Sequence, residues 1–149
     1  MNYKFYVKKL TSNELGYRKG KLSTGQMFYI SKQAIEFFPT LSKTLNNATV
    51  TLEFEVEYRK DPIFINLVYH NDKYNRDKGT RDEFRIYLNR EIAPDDFFFR
   101  PDDIIIFERI SETRYRLNKF REGNDEYSRF NKMIENTNFK GKHLLSSCL

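Results

Sequence analysis

The densest cluster of residues suited to chemistry is "TRDEFR", residues 80–85, at the end of a glycine-broken loop. Arg81 and Arg85 flank the carboxylates of Asp82 and Glu83. These residue types have complementary uses on a base edge. An arginine donates two hydrogen bonds to guanine, asparagine and glutamine bond adenine, and a glutamate accepts from the cytosine amino group. A surface that only held phosphate would gain nothing from a carboxylate, so Glu83 among arginines suits discrimination between bases. It equally suits a plain surface ion pair with Arg81 or Arg85. The stretch by itself leaves both readings open.

Other chemistry is poorly supplied. The chain has two histidines, His70 and His143, and one cysteine, Cys148, so there is no Cys/His zinc pattern. Cys148 lies next to the C-terminus, a poor place to position a nucleophile. There is no phosphate-binding glycine loop and no nucleophile elbow. A metal-dependent nuclease needs clustered carboxylates to bridge metals and phosphate. The acidic pairs Asp95-Asp96 and Asp102-Asp103 follow Pro94 and Pro101 and read as solvated turns. No catalytic residue, metal site or cofactor is expected. His70 opens a polar loop and suits either a phosphate contact or an ordinary loop position.

A length of 149 residues suits one domain with its own core, here 1–149 with 137–149 as a tail. The 14 Phe and 10 Tyr supply buried area that a disordered chain lacks. A single thiol forms no internal disulfide and fits a reducing compartment. The start, "MNYKFYVKKLTSNE", has no signal-peptide apolar core, and no apolar run approaches the roughly 18 residues of a membrane span. A soluble cytoplasmic protein with no membrane partner is the expectation. The net charge of +5 is mild, but its distribution is informative. Residues 8–26 hold Lys8, Lys9, Arg18, Lys19 and Lys21 against Glu14, a net +4. Residues 70–90 hold six basic side chains against four acidic ones, a net +2. Together these exceed the whole net charge. Both segments read as loops, where binding groups usually sit on a scaffold, although Lys and Arg are also common in loops without any such role.

The elements that must carry those loops are mostly strands. Residues 3–10, 26–30, 49–58, 63–69, 83–88, 104–107 and 114–120 read as strands. In 49–58, Val50, Leu52, Phe54, Val56 and Tyr58 alternate with Thr51, Glu53, Glu55 and Glu57, so one face is buried and the other acidic. In 83–88, Phe84, Ile86 and Leu88 share a face opposite Glu83, Arg85 and Tyr87. The run "IIIF" at 104–107 is apolar throughout, as in a strand covered on both sides. Ser31 can cap a short helix over "KQAIEFF", with Ile30 and Ile35 as a hydrophobic staple and Pro39 as its stop. Tyr127, Phe130 and Ile134 fall at helical spacing within 126–135. Residues 11–25 form a long polar loop, which in a compact domain is more often functional than not. Residues 70–80 form a second one. The tail after Asn136 carries no readable pattern. The sum is a mostly-β domain of seven strands and two short helices, a barrel or half-open barrel.

Three pieces carry a resemblance: "YVKKLTSNELG", "TGQMFYISKQAIEFFPTL" and "GTRDEFRI". Together they resemble the N-terminal effector-binding domain of EcoRII-type restriction endonucleases. The middle piece is also similar to the C-terminal recognition domain of the BfiI restriction enzyme, and "RPDDIIIFERISETRYRL" resembles the related plant B-three transcription factors. The likeness runs in order over about residues 3–130. It implies a seven-stranded open DNA-binding pseudobarrel with two short helices, gripping duplex DNA in the major groove between two arms. The second arm would comprise residues 70–85, with Lys73, Asn75, Arg76, Lys78, Thr80, Arg81, Asp82, Glu83 and Arg85 at the DNA. Asp82 and Phe84 stand where the EcoRII type has Asn and Lys. The first arm would comprise residues 11–26, with Lys9, Ser12, Asn13, Tyr17, Arg18, Lys19, Lys21, Thr24 and Gln26. Its "YRKGKLS" is longer and more basic than the EcoRII counterpart, and Gln26 fits the BfiI pattern. The resemblance implies sequence-specific binding of double-stranded DNA at a short site. The chain would be the recognition domain or subunit of a bacterial type II restriction endonuclease, with the nuclease domain or subunit elsewhere. A stand-alone metal-dependent nuclease and a protein-interaction module for an acidic partner are the alternatives.

Overall fold

The alternation after Thr49 becomes a strand near the middle of one large curled sheet. In a computed structural model that describes residues 3–18, 21–22 and 25–149, this strand is β5 (Thr49–Glu55). Leu52 and Phe54 are fully buried, whereas Glu53 and Glu55 face outward. The other sheet strands are β1 (Phe5–Lys9), β4 (Met27–Ile30), β6 (Ile63–His70), β7 (Glu83–Tyr87), β8 (Ile104–Arg109), β9 (Arg114–Phe120) and β10 (His143–Ser146). Their order is β10-β1-β8-β9-β5-β6-β7-β4. Neighbours are antiparallel except β5 and β9, which run parallel. The outward acids of β5 meet the arginines of β9: Arg114 bonds Glu53 and Glu55, and Arg116 bonds Glu55 and Glu108.

Among the described residues the sheet has eight strands, where seven were expected. The additional strand, β10, comes from the tail that had no readable pattern. It pairs with β1 from Phe5↔Ser146 to Lys8↔His143. Four residues carry too little alternation to announce a strand, and β1 supplies the template. A two-stranded ribbon, β2 (Tyr17–Arg18) and β3 (Lys21–Leu22), also forms inside the first polar loop.

The two expected helices are realised differently. The second is α2 (Tyr127–Glu135). The first shrinks to a single 3-10 turn, Ile35–Phe37, and Phe38 is already extended at φ −110° and ψ 166°. Pro39 enforces that, because a residue before proline avoids helical backbone. Both Phe37 and Phe38 then reach the core. A one-turn helix not read from the sequence, α1 (Asp72–Asn75), forms in the second polar loop.

Two apolar cores lie on the two sides of β1 and β8. Ile105 and Phe107 point into the main core with Tyr6, Phe28, Phe54 and Tyr115. Ile104 and Ile106 point into a second cluster, with Val7, Leu144 and the Tyr127, Phe130 and Ile134 stripe of α2. That accounts for the unbroken apolar run at the start of β8. No helix among the described residues is long and apolar enough to cross a membrane.

The curl is open between its edge strands, β10 and β4, and β1, which lies next to β10, makes no backbone ladder with β4. A carboxylate bridges that seam instead. Glu14 is buried, accepts from Lys8 Nζ of β1 at 2.5 Å, and accepts from Tyr29 N of β4 at 2.9 Å. Lys8 Nζ also donates to Tyr29 O at 2.7 Å. Lys8 therefore does not contribute to an exposed basic loop as its place in the charge count suggested.

Candidate nucleic-acid interface

The first arm leaves β1 at Leu10 and returns at β4. Its root is built by Thr11 and Glu14, which cap each other: Thr11 N donates to Glu14 Oε1 at 2.8 Å, and Glu14 N donates to Thr11 Oγ1 at 3.3 Å. Leu15 plugs the core, and Gly16 turns the chain at φ 78°, a left-handed backbone that glycine adopts without penalty. Tyr17 OH and Gln26 Nε2 both donate to Asp96 O, at 3.0 and 2.9 Å. These two arm residues thus tie the arm to the segment after β7. Ser12 and Asn13 are exposed. Lys9 lies at the arm's root with its ammonium 5.9 Å from the centre of the Tyr127 ring. Arg18 and Lys21 form the β2–β3 ribbon pair. Lys19 and Thr24 lie outside the described residues.

The second arm is a self-bonded loop between β6 and β7. Asp72 opens α1 and organises it: its Oδ1 accepts from Arg81 N at 2.6 Å, and its carbonyl accepts from Arg76 N at 2.8 Å. Lys73 N donates to Arg81 O at 3.1 Å. Gly79 packs so tightly on α1 that a Cβ there would stand 2.1 Å from Asp72 O. Beside it Lys78 adopts φ 61°, and a left-handed lysine is uncommon. The arm is pinned below by two asparagines. Buried Asn71 accepts from Asn47 N and donates to Ser42 O and Leu45 O. Asn75 donates to Lys43 O and Asn71 O at 2.7 and 2.9 Å. The amide of Asn75 thus holds the arm to the protein. Lys73, Arg76, Lys78, Thr80 and Arg81 are exposed along the outside.

Asp82 and Glu83 face opposite ways. Asp82 turns inward. Its Oδ1 accepts from Tyr69 OH at 2.5 Å, and its Oδ2 accepts from Lys32 Nζ and from Tyr74 OH. Burial by itself would raise this carboxyl, but the hydrogen bonds from Lys32, Tyr69 and Tyr74 outweigh it and bring the pKa down to about 2. Glu83 lies on the polar face of β7. Its Oε1 accepts from Arg81 Nε at 3.1 Å and from Arg85 Nη2 at 2.6 Å. Arg85 sits 5.1 Å over the Tyr29 ring, its cross-strand partner. Tyr87 bonds His70 Nε2 at 2.6 Å. Burial, then the charges of Arg81 and Arg85, push the His70 pKa below the usual histidine value. His70, Glu83, Arg85, Tyr87 and Tyr29 thus make one polar-aromatic surface. Tyr29 and Tyr87 were not singled out from the sequence, although the alternation of β7 had put Tyr87 on the face of Glu83 and Arg85. Tyr29 needed the β4–β7 register.

The acidic pairs carry structural roles. Asp103 departs from the solvated turn expected of it: it is buried and bonds Arg121 through both oxygens at 2.9 Å. Asp96 pairs with Arg90 at 2.5 Å. Among the described residues, no group of three or more His, Cys, Asp or Glu side chains is arranged to hold a metal ion.

No protein-family model matches the sequence, and no curated protein sequence does. Solved structures do. The N-terminal domain of Helicobacter pylori LlaJI.R1 is 18% identical, with a TM-score of 0.59 over 98% of this chain and 99% of that one. The B3 domain of the UbaLAI restriction endonuclease, solved with cognate DNA, is 16% identical, with a TM-score of 0.54 over 95% of this chain and 85% of that one. Likeness at this level of identity shows the fold: the chain has the B3-type curled half-barrel that a restriction endonuclease also carries.

Proposed function

We propose that this chain recognises a short specific sequence in double-stranded DNA, holding the major groove between its two arms, as the recognition domain or subunit of a bacterial restriction endonuclease. The observation that carries the reading is Glu83. Both arginines bond the same oxygen, Oε1, so among the described residues Oε2 is left to accept from a base. A cytosine amino group is the donor it suits. Arg81 spends only Nε on Glu83, which keeps its two terminal amino groups for a guanine edge or a phosphate. Arg85, held on Tyr29 and on Glu83, fixes where the carboxylate points and lies on the same face. The exposed Lys73, Arg76 and Lys78 fit phosphate contacts, which position a duplex without reading it. Asn75 and Asp82 act as positioning residues, since their polar atoms are bonded to the protein. Ser12 and Asn13, exposed on the first arm, and the basic Arg18, Lys19 and Lys21 of the same segment fit further contacts to the duplex.

Recognition without cleavage is the division of labour proposed, with an associated nuclease domain or subunit cutting the DNA. The similar B3 domain of the UbaLAI restriction endonuclease, solved with cognate DNA, supports the DNA-binding part of that reading. Selection of bound duplexes from a random library tests it and yields the site. Enrichment of one short sequence is the expected result. Binding that ignores sequence, or site-specific cutting by the chain alone with magnesium ions, would overturn it.

A further inference from the structure

The roots of the two arms share a groove with a third element. A depression of about 470 Å³ is lined by Lys9 and Thr11 at the first arm, by Glu83 and Phe84 at the second, and by residues 140–143, which lead into β10. The last segment reads Lys-Gly-Lys-His. It lies outside both basic loops and outside the stretch that carries the family resemblance.

This segment is held firmly. Lys9 N donates to Lys142 O at 2.8 Å, and His143 pairs opposite Lys8 in the β1–β10 ladder. His143 Nε2 donates to Lys140 O at 2.8 Å. The His143 ring packs edge-on against Tyr6 and Phe139, with centres 5.8 and 5.2 Å apart. Gly141 makes the turn between the lysines at φ 87°. Lys140 and Lys142 are both exposed, and neither has an acidic partner among the described residues. The result is a pair of uncompensated ammonium groups on a rigid turn, beside the groove on which both arms converge.

We propose that residues 140–143 form a third DNA-contacting element, in which Lys140 and Lys142 each neutralise a backbone phosphate of the duplex lying between the arms. The inference rests on the duplex-DNA reading above. Lysine is a point charge without arginine's planar fork, so this element adds affinity and register, not base discrimination.

The test uses the full chain with the double variant K140A/K142A, which keeps the backbone pairing to β1. Affinity is measured over a salt series on the library-selected duplex and on an unrelated one. Each lost phosphate contact lowers the salt slope by about 0.9. The expected result is a slope smaller by about 2, with a loss on the order of tenfold to a hundredfold near 0.1 M salt, alike on both duplexes. K140R/K142R should restore slope and affinity, and Lys60→Ala, in the exposed connection between β5 and β6, should change neither. A double variant that matches the wild type overturns this proposal and leaves the duplex-DNA reading standing. So does a loss confined to the selected duplex. A wild-type chain that binds neither duplex at low salt overturns the duplex-DNA reading, and this proposal falls with it.

Discussion

Lys8 and Glu14 form a buried ion pair 2.5 Å long that fastens β1 to β4 across the open side of the sheet. Removing one member of such a pair leaves an uncompensated charge in the interior, which costs about 3–5 kcal/mol. Glu14→Ala should therefore destabilise the fold by about that amount, read from urea unfolding. It also strands Thr11 N and Tyr29 N. Adding Lys8→Met should recover part of the loss by removing the orphan ammonium. A Glu14→Ala variant within about 1 kcal/mol of wild type would show that the bridge does not hold the seam.

Glu83 should control which base pair is read. Glu83→Gln turns an acceptor-only group into one that also donates. Binding to the selected site should fall, with preference at one base pair relaxed by about 1–3 kcal/mol. Comparison across single-base variants of the site measures this. An equal loss at every position would remove the base-reading role.

Asp82 should behave in the opposite way. Asp82→Asn loosens the root of the second arm and should weaken all duplexes together. Its pH signature is also specific. The carboxyl falls from 3.8 to about 2 on folding, so it contributes stability that is fully present above pH 3.8 and is lost as pH drops through about 2. The difference in melting temperature between wild type and Asp82→Asn should be constant above about pH 5 and shrink toward pH 2. A difference that does not change with pH would contradict the anchoring bonds to Lys32, Tyr69 and Tyr74.

Gly79→Ala should disable the arm while sparing the barrel. The added methyl meets the Asp72 carbonyl at 2.1 Å, and a backbone atom cannot swing away as a flexible side-chain tip does. Overpacking of this kind costs about 1–3 kcal/mol, here spent on the loop. Faster amide exchange at residues 72–81, weaker binding and a nearly unchanged sheet are the expected readouts. Wild-type exchange across the loop would contradict it.

The strongly periodic elements were legible from the sequence because their signal is local. The Leu52 and Phe54 face, the run from Ile104 to Phe107 and the Tyr127, Phe130, Ile134 stripe each declare their burial within a few residues. The features that escaped are made by distant pairings. β10 exists because β1 offers it a ladder. Lys8 reads as one more loop cation until Glu14 and Tyr29 come together around it. Asp82 is anchored by Lys32 and Tyr69, fifty and thirteen residues away, so its neighbours Arg81 and Glu83 gave no indication of its direction. The residues facing DNA in the proposed function were partly visible, since the phase of β7 already put Glu83, Arg85 and Tyr87 on one surface.

The seam has a mechanical consequence. Around most of the curl, strands are sewn together by ladders of backbone hydrogen bonds, any one of which can break while the rest hold. Across the gap from β1 to β4 the stitching is the Glu14 carboxylate at the root of the first arm, the Lys8 ammonium of β1, and a single backbone bond from Met27 N to Glu14 O. The span of the jaw and the closure of the barrel are therefore set by the same few atoms. A strain that pried the arms apart would be resisted there first, by a handful of bonds centred on Glu14 and not by a ladder.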